Sequence, residues 1–233
     1  MQVSVVYSVG VRCYTESILR RLGLVRFSSI FGSMNVKNWD SLIKCFDTNF
    51  HALFDEENLV CTKNNLKFAE ENDKWWPRTL NKVLDDVNDY HSSTIAHHDM
   101  GDEDVKLHFQ RGIKRLEYIR DNNIPILFVD ISMEFDNRHP DKRLAESIIK
   151  YGITNMKIIS IWKDGSGRVT EPTLLHADDH HIIYEIRSEG YYAPADESVI
   201  NDVLHRHFTF DNLIKVDDIL PAGMPMSGHA LNP

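Results

Sequence analysis

The chain is expected to fold as an α/β, three-layer Rossmann-like domain with a mostly parallel sheet and a helical insertion at about residues 35–120. Three observations carry that expectation. The chain opens on an apolar run, Val3 to Tyr7, that enters a glycine turn and then a short helix. Residues 105–162 read helix, strand, helix, strand, which is a βαβ unit with its flanking helix. The strands are continuous apolar runs rather than alternating ones, as in a sheet covered on both faces.

The elements follow in order. After the Val3–Tyr7 strand, Tyr14 to Leu22 reads as a helix closed by Gly23. A serine-rich loop with embedded Phe27, Ile30 and Phe31 leads to Trp39, Leu42, Ile43 and Phe46 at helical spacing, and Phe50, Leu53 and Phe54 continue the helical character. Residues 55–74 are polar, with Leu59, Val60, Leu66 and Phe68 as short strand contacts. Trp75-Trp76-Pro77 restarts structure, and Leu80, Val83, Leu84 and Val87 form a further helical stripe. A long helix carries Val105, Phe109, Ile113, Leu116 and Ile119, and stops at Asn122-Asn123. Pro125 to Val129 is a strand closed by Asp130. A helix over Arg143–Tyr151, a strand over Met156–Trp162, a glycine turn with a polar loop, a strand over His181–Ile186 and a helix over Ser198–Phe208 complete the order. Residues 1–220 are expected to form a single domain. Residues 221–233, without periodicity, are an extended or disordered tail.

Composition narrows the function. The 233 residues are 42% hydrophobic, enough for a sizeable core, and the net charge of -9 argues against a nucleic-acid partner. The 3 cysteines, Cys13, Cys45 and Cys61, include no CxxC pair, so neither a disulfide framework nor a zinc knuckle is expected. No run is long enough to span a membrane, and no signal peptide opens the chain. A cytoplasmic protein is expected, in the host cytoplasm if the chain is viral.

Candidate site residues fall into four groups. Ser8, Gly10, Arg12 and Cys13 surround the first strand-to-helix turn. Backbone N–H groups there can face an anion, Arg12 is a phosphate-type partner, and a cysteine at a helix N-terminus has its thiolate favoured by the macrodipole. The competing reading is an ordinary turn with Cys13 as a small packing residue. His97-His98-Asp99 is the second group. Adjacent histidines point different ways, so at most one faces a given pocket, where a carboxylate would hold it as a general base. Loop histidines beside an aspartate are also often surface residues. An HD-type phosphohydrolase uses such a pair, but that class is all-helical. Arg111 and Arg115, at i and i+4, share a helix face and could hold a phosphate, although a solvated face paired with Glu117 or Asp104 is favoured. Asp130 ends an apolar strand, where parallel sheets place ligand contacts. Asp102-Glu103-Asp104 resembles a metal-binding DxD but opens a helix, where acidic residues are expected anyway. Asp178-Asp179-His180-His181 has no metal-ligand spacing and is expected to be solvated. Trp75 and Trp76 could stack on a sugar or lie in the core. No metal site is expected.

Taken together, SVGVRC at 8–13, LRRLGLV at 19–25, TNFHALFDEENL at 48–59, AHHD at 96–99, FQRGIKRLEYI at 109–119 and IPILFVDIS at 124–132 resemble an uncharacterised family. Its domains are labelled papain-like cysteine peptidases and occur in bacteria and large viruses, often beside glycan-synthesis enzymes. The resemblance covers roughly residues 4–190 and falls on Ser8, Gly10, Cys13, His97, His98, Asp99, Arg111 and Arg115. It departs at Ser29-Ile30-Phe31-Gly32-Ser33, where the family has PFDW.

The label implies Cys13 as nucleophile and His97 or His98 as base, oriented by a carboxylate or amide. The expected parallel βαβ unit does not suit a papain-like scaffold, in which the histidine opens an antiparallel strand. The sequence reading therefore favours a glycosyltransferase-like enzyme, with the Cys13 peptidase as the alternative and an inactive binding module as a second alternative. In the favoured reading the donor is a UDP-, GDP- or dTDP-linked sugar and the acceptor is a glycan, with no metal and no tightly bound cofactor. Ser8, Gly10, Arg12, Arg111 and Arg115 would hold the diphosphate, and His97, His98 or Asp99, with Asp130, would supply the base.

Overall fold

The structure, a computed structural model, describes residues 1–10, 12–34, 39–62, 78–81, 95–96, 100–132, 141–165, 167, 171–188, 190 and 196–214. Strand β1 (Val5–Ser8) leads to helix α1 (Arg12–Arg21), and helix α2 (Trp39–Asp47) follows. Three short strands come next, β2 (Leu59–Thr62), β3 (Arg78–Asn81) and β4 (Ile95–Ala96). Helix α3 (Glu103–Asp121) precedes β5 (Ile126–Ser132), α4 (Lys142–Lys150) and β6 (Met156–Asp164). The hairpin strands β7 (Thr173–Ala177) and β8 (His181–Arg187) precede α5 (Asp196–His207).

The fold is mixed α/β. The main sheet has the order β1-β5-β6-β8-β7, with β1, β5, β6 and β8 parallel and β7 antiparallel at the edge. Register is set by apolar pairs such as Tyr7↔Phe128 and Phe128↔Ile158. Every residue of β1 and of β5 is buried, because helices cover both faces.

Strand alternation sorts the core into two layers. Val5, Tyr7, Phe128 and Ile158 face α2, α3 and α4, whose Leu42, Phe46, Phe109, Leu116, Leu144 and Ile148 are buried with them. Val6, Leu127, Val129, Ile159 and Ile161 face α1 and α5 through Tyr14, Ile18, Leu19, Ile200 and Leu204. Burying each such side chain contributes about 1.5–3 kcal/mol. Aromatic rings key the first layer: Phe46 lies 5.3 Å from Phe50 and 5.6 Å from Tyr151 between centroids.

Several expectations need correction. The insertion is not purely helical, since β2, β3 and β4 form a separate antiparallel sheet. Leu80 lies in β3, paired with Val60, and not on a helix; Val83, Leu84 and Val87 lie outside the described residues. Helical character does not run on from Phe46 through Phe54, because Asn49 and Phe50 take left-handed backbone conformations (φ 49° and 63°) and only a short 3-10 turn, His51–Leu53, follows. The polar loop before β8 contains strand β7. Its Leu174 and Leu175 are exposed, so no alternating burial marked it as a strand. The 221–233 tail lies outside the described residues.

One feature of this topology prepares a site. Neighbours β1 and β5 send their following helices to opposite faces, α1 to one and α4 to the other. The chain therefore leaves the carboxyl ends of these two strands toward opposite faces, the kind of place at which parallel sheets bind ligands.

Candidate active site

At the carboxyl end of β1, the Val9 N–H donates to the Val129 carbonyl at 2.9 Å, and the chain then turns at Gly10 into α1. A Cβ on Gly10 would lie 1.9 Å from Thr15 Oγ1 and 3.0 Å from Asp130 Oδ1. Glycine is required here by space. Thr15 Oγ1 donates to the Ile131 carbonyl at 3.0 Å and accepts from the Ile131 N–H at 3.1 Å, stitching the first turns of α1 to β5. The structure thus brings together the predicted Gly10 and Asp130, both from separate sequence arguments. Asp130 is fully buried. Ser8 is also fully buried, and its Oγ has no hydrogen-bond partner among the described residues. Arg12 and Cys13 are the first and second residues of α1, at the helix end where backbone N–H groups lack intrahelical partners.

The turn after Cys13 is tied down from the other side. Tyr14 Oη accepts a hydrogen bond from Lys163 Nζ, and the same ammonium donates to the Gly190 carbonyl at 2.9 Å. Asp196 Oδ2 lies 2.6 Å from Lys163 Nζ and 2.6 Å from Ser188 Oγ. The Lys163 and Asp196 side chains are both fully buried. Burial pulls the Lys163 pKa down, and the Asp196 carboxylate opposes that shift. Lys163 and Ser188 stand at the carboxyl ends of β6 and β8, on the same edge as Asp130. The sequence reading passed over Thr15, Lys163 and Asp196. Lys163 carries the signal that had singled out Asp130: a charged residue closing an apolar strand.

Arg111 and Arg115 do share one face of α3, but that face is buried and not solvated as expected. Arg115 Nη1 donates to the Ser28 carbonyl at 3.1 Å, and its guanidinium lies 5.5 Å from the Phe27 ring centroid. Beside Arg111, Gly112 lets α3 approach Ile30 closely, since an added Cβ would stand 3.1 Å from Ile30 Cβ. Glu16 Oε2 accepts from Ser29 N–H and Ser29 Oγ, both at 2.9 Å. The serine loop is therefore held by α1 and α3 together.

His181 also differs from expectation. It is 3% exposed, not solvated, and its Nε2 lies 2.8 Å from the buried Ser160 Oγ. Burial pushes its pKa down to about 4. Burial alone would raise the Asp178 pKa, but N–H donors of His180 and His181 and the His176 ring hold it well below the usual carboxylate range. Asp102 caps α3 by accepting from the Asp104 N–H at 2.9 Å, so the acidic triplet opens a helix as read. His97, His98 and Asp99 lie outside the described residues, between β4 and the buried Met100; Trp75 and Trp76 lie outside them too. Among the described residues no group of three or more His, Cys, Asp or Glu side chains could hold a metal. No described helix is long and apolar enough to cross a membrane.

A family model described as "Putative papain-like cysteine peptidase (DUF1796)" matches residues 4–151. No curated protein and no solved structure matches the chain. The family match overturns the glycosyltransferase reading, and with it the transferase, nucleotide-sugar and glycan assignments. That reading leaned on the parallel sheet, and a sheet of this kind hosts many unrelated chemistries. The match instead supports the alternative that turned on Cys13.

Proposed function

The chain belongs to the family described as putative papain-like cysteine peptidases, and from that premise we propose that it is a cysteine-dependent peptidase with Cys13 as nucleophile. The observation that carries the proposal is the place of the family-matched stretch 8–13. It spans the junction of β1 and α1, so Cys13 is the second residue of a ten-residue helix at the carboxyl edge of the sheet. A thiolate there gains from the helix dipole, and free N–H groups of the first turn suit an oxyanion. Triad chemistry recurs on unrelated scaffolds, so a mostly parallel sheet is no obstacle to it.

In this reading His97 or His98, oriented by Asp99, takes the Cys13 thiol proton. The thiolate sulfur attacks the peptide carbonyl carbon, the C–N bond breaks, and the imidazolium returns the proton to the departing amine. Water then attacks the thioester, releasing the carboxylic acid and restoring the thiol. Gly10 lets the chain pass close to Thr15 and Asp130, Thr15 ties the first turns of α1 to β5, and Arg115 holds the adjoining serine loop.

The test is hydrolysis of a quenched-fluorescence peptide library by the full chain and by Cys13→Ala. Loss of at least about a thousandfold in rate, with circular dichroism unchanged, is expected. Hydrolysis that survives Cys13→Ala contradicts the proposal. Absence of hydrolysis by the unsubstituted chain across the library points instead to an inactive binding module.

A further inference from the structure

We infer that Lys163 is a positioning residue for this site, fixing the first turn of α1, and with it Cys13, through the Tyr14 hydroxyl. The inference rests on the nucleophile reading of Cys13. Tyr14 is the next residue in the chain, so whatever locks its hydroxyl constrains the backbone of the turn in which Cys13 sits.

The lock is specific. Lys163 Nζ donates to Tyr14 Oη and lies 4.8 Å from the Tyr14 ring centroid. It also reaches two further elements, the Gly190 carbonyl at 2.9 Å and Asp196 Oδ2 at 2.6 Å. Asp196 is the first residue of α5, and Ser188 Oγ lies 2.6 Å from the same carboxylate oxygen. One ammonium thus joins α1, β6, the segment after β8 and the start of α5 one residue from Cys13 in the chain. A buried ion pair is weak evidence for stability as such, because desolvation offsets the attraction. Its value here is geometric: the pair holds one arrangement of four elements, as buried ionic groups do when they fix register.

A role in positioning Cys13 and a role in general stability differ in what they move. The measurement is the rate of Cys13 alkylation by iodoacetamide from pH 5 to 9, read by peptide mapping, on the full chain, Tyr14→Phe, and the double variant Lys163→Met/Asp196→Asn. The double variant removes both charges, so neither is left buried alone. In the full chain the alkylation midpoint is expected well below the ordinary cysteine value of about 8.5. In Tyr14→Phe it is expected to rise by about one pH unit, which is about tenfold less thiolate at pH 6, with circular dichroism unchanged and thermal unfolding lowered by the one buried hydrogen bond lost. The double variant is expected to shift it further. If it does not fold, Tyr14→Phe alone decides. A folded Tyr14→Phe with the unsubstituted profile overturns the positioning role and leaves the nucleophile reading intact. An ordinary cysteine profile in the unsubstituted chain overturns both.

Discussion

Two buried tyrosine hydroxyls show how unequal similar side chains can be. Tyr7 Oη accepts the Ile30 N–H at 2.9 Å at the centre of the first core layer. Tyr151 packs its ring against Phe46 and Phe50, yet its buried Oη has no hydrogen-bond partner among the described residues, and burial pushes its pKa up to about 12. Removing a hydroxyl that satisfies a buried N–H leaves that N–H stranded, whereas removing an unsatisfied one does not. Tyr7→Phe is therefore expected to cost about 1–3 kcal/mol, and Tyr151→Phe to be neutral or stabilising. Urea midpoints of the two variants check the order, and equal losses would contradict it. At the same scale, Cys45 is fully buried and burial pushes its pKa up to about 12, so it stays inert in any labelling of Cys13.

Among the elements, the β1-turn-α1 unit matters most. Gly10→Ala would drive a methyl group into Thr15 Oγ1 and against Asp130, and overpacking of this kind costs about 1–3 kcal/mol. We expect that loss in urea unfolding together with weaker peptide hydrolysis; a substitution silent in both would show that the turn is slack. This unit was legible in the sequence because its local signals agree. An apolar run, a glycine and a closing Gly23 at φ 71° all mark the same strand, turn and helix. The acidic start of α3 and the β5-α4-β6 unit were legible for the same reason. Strand β7 was not, since its exposed leucines and its bulge between Leu174 and His176 give no periodic pattern. Of the small β2-β3-β4 sheet only the strand contact at Leu59 and Val60 was read; β3 and β4 were missed because strands of two to four residues carry too few positions to show a period. The arginines of α3 were placed on the right face but in the wrong medium. Nothing local reveals that the Phe27–Ile30 segment will close over them.

Across the whole molecule, the site edge and the core are joined through buried polar groups that composition alone hides. His181 was taken for a solvated histidine because its cluster follows a polar loop, while in the strand it pairs with Ile158, its Nε2 2.8 Å from Ser160 Oγ and its ring 5.9 Å from that of Trp39. Its folded pKa, near 4, lies below the ordinary 6.5. Burial sets that direction; Asp178 and Asp141 favour the charged form, and His176 disfavours it. Between these values the unfolded chain binds more protons than the folded one, so stability falls as pH drops from 6.5 toward 4, by about 3 kcal/mol from this group. Denaturant titrations at pH 7 and pH 4.5 should show His181→Gln losing less stability on acidification than the unsubstituted chain. Parallel slopes would contradict it. The parallel sheet itself was read correctly and pointed to the wrong chemistry, because a carboxyl-edge crevice specifies where a ligand sits and not which bond is broken.

Intact-mass spectrometry during turnover of a slow peptide ester substrate tests the central claim most directly. The account predicts a transient adduct of the acyl half of the substrate, mapped to Cys13 and absent from Cys13→Ala. Turnover that proceeds with Cys13 unmodified, or an adduct that persists in Cys13→Ala, would contradict it.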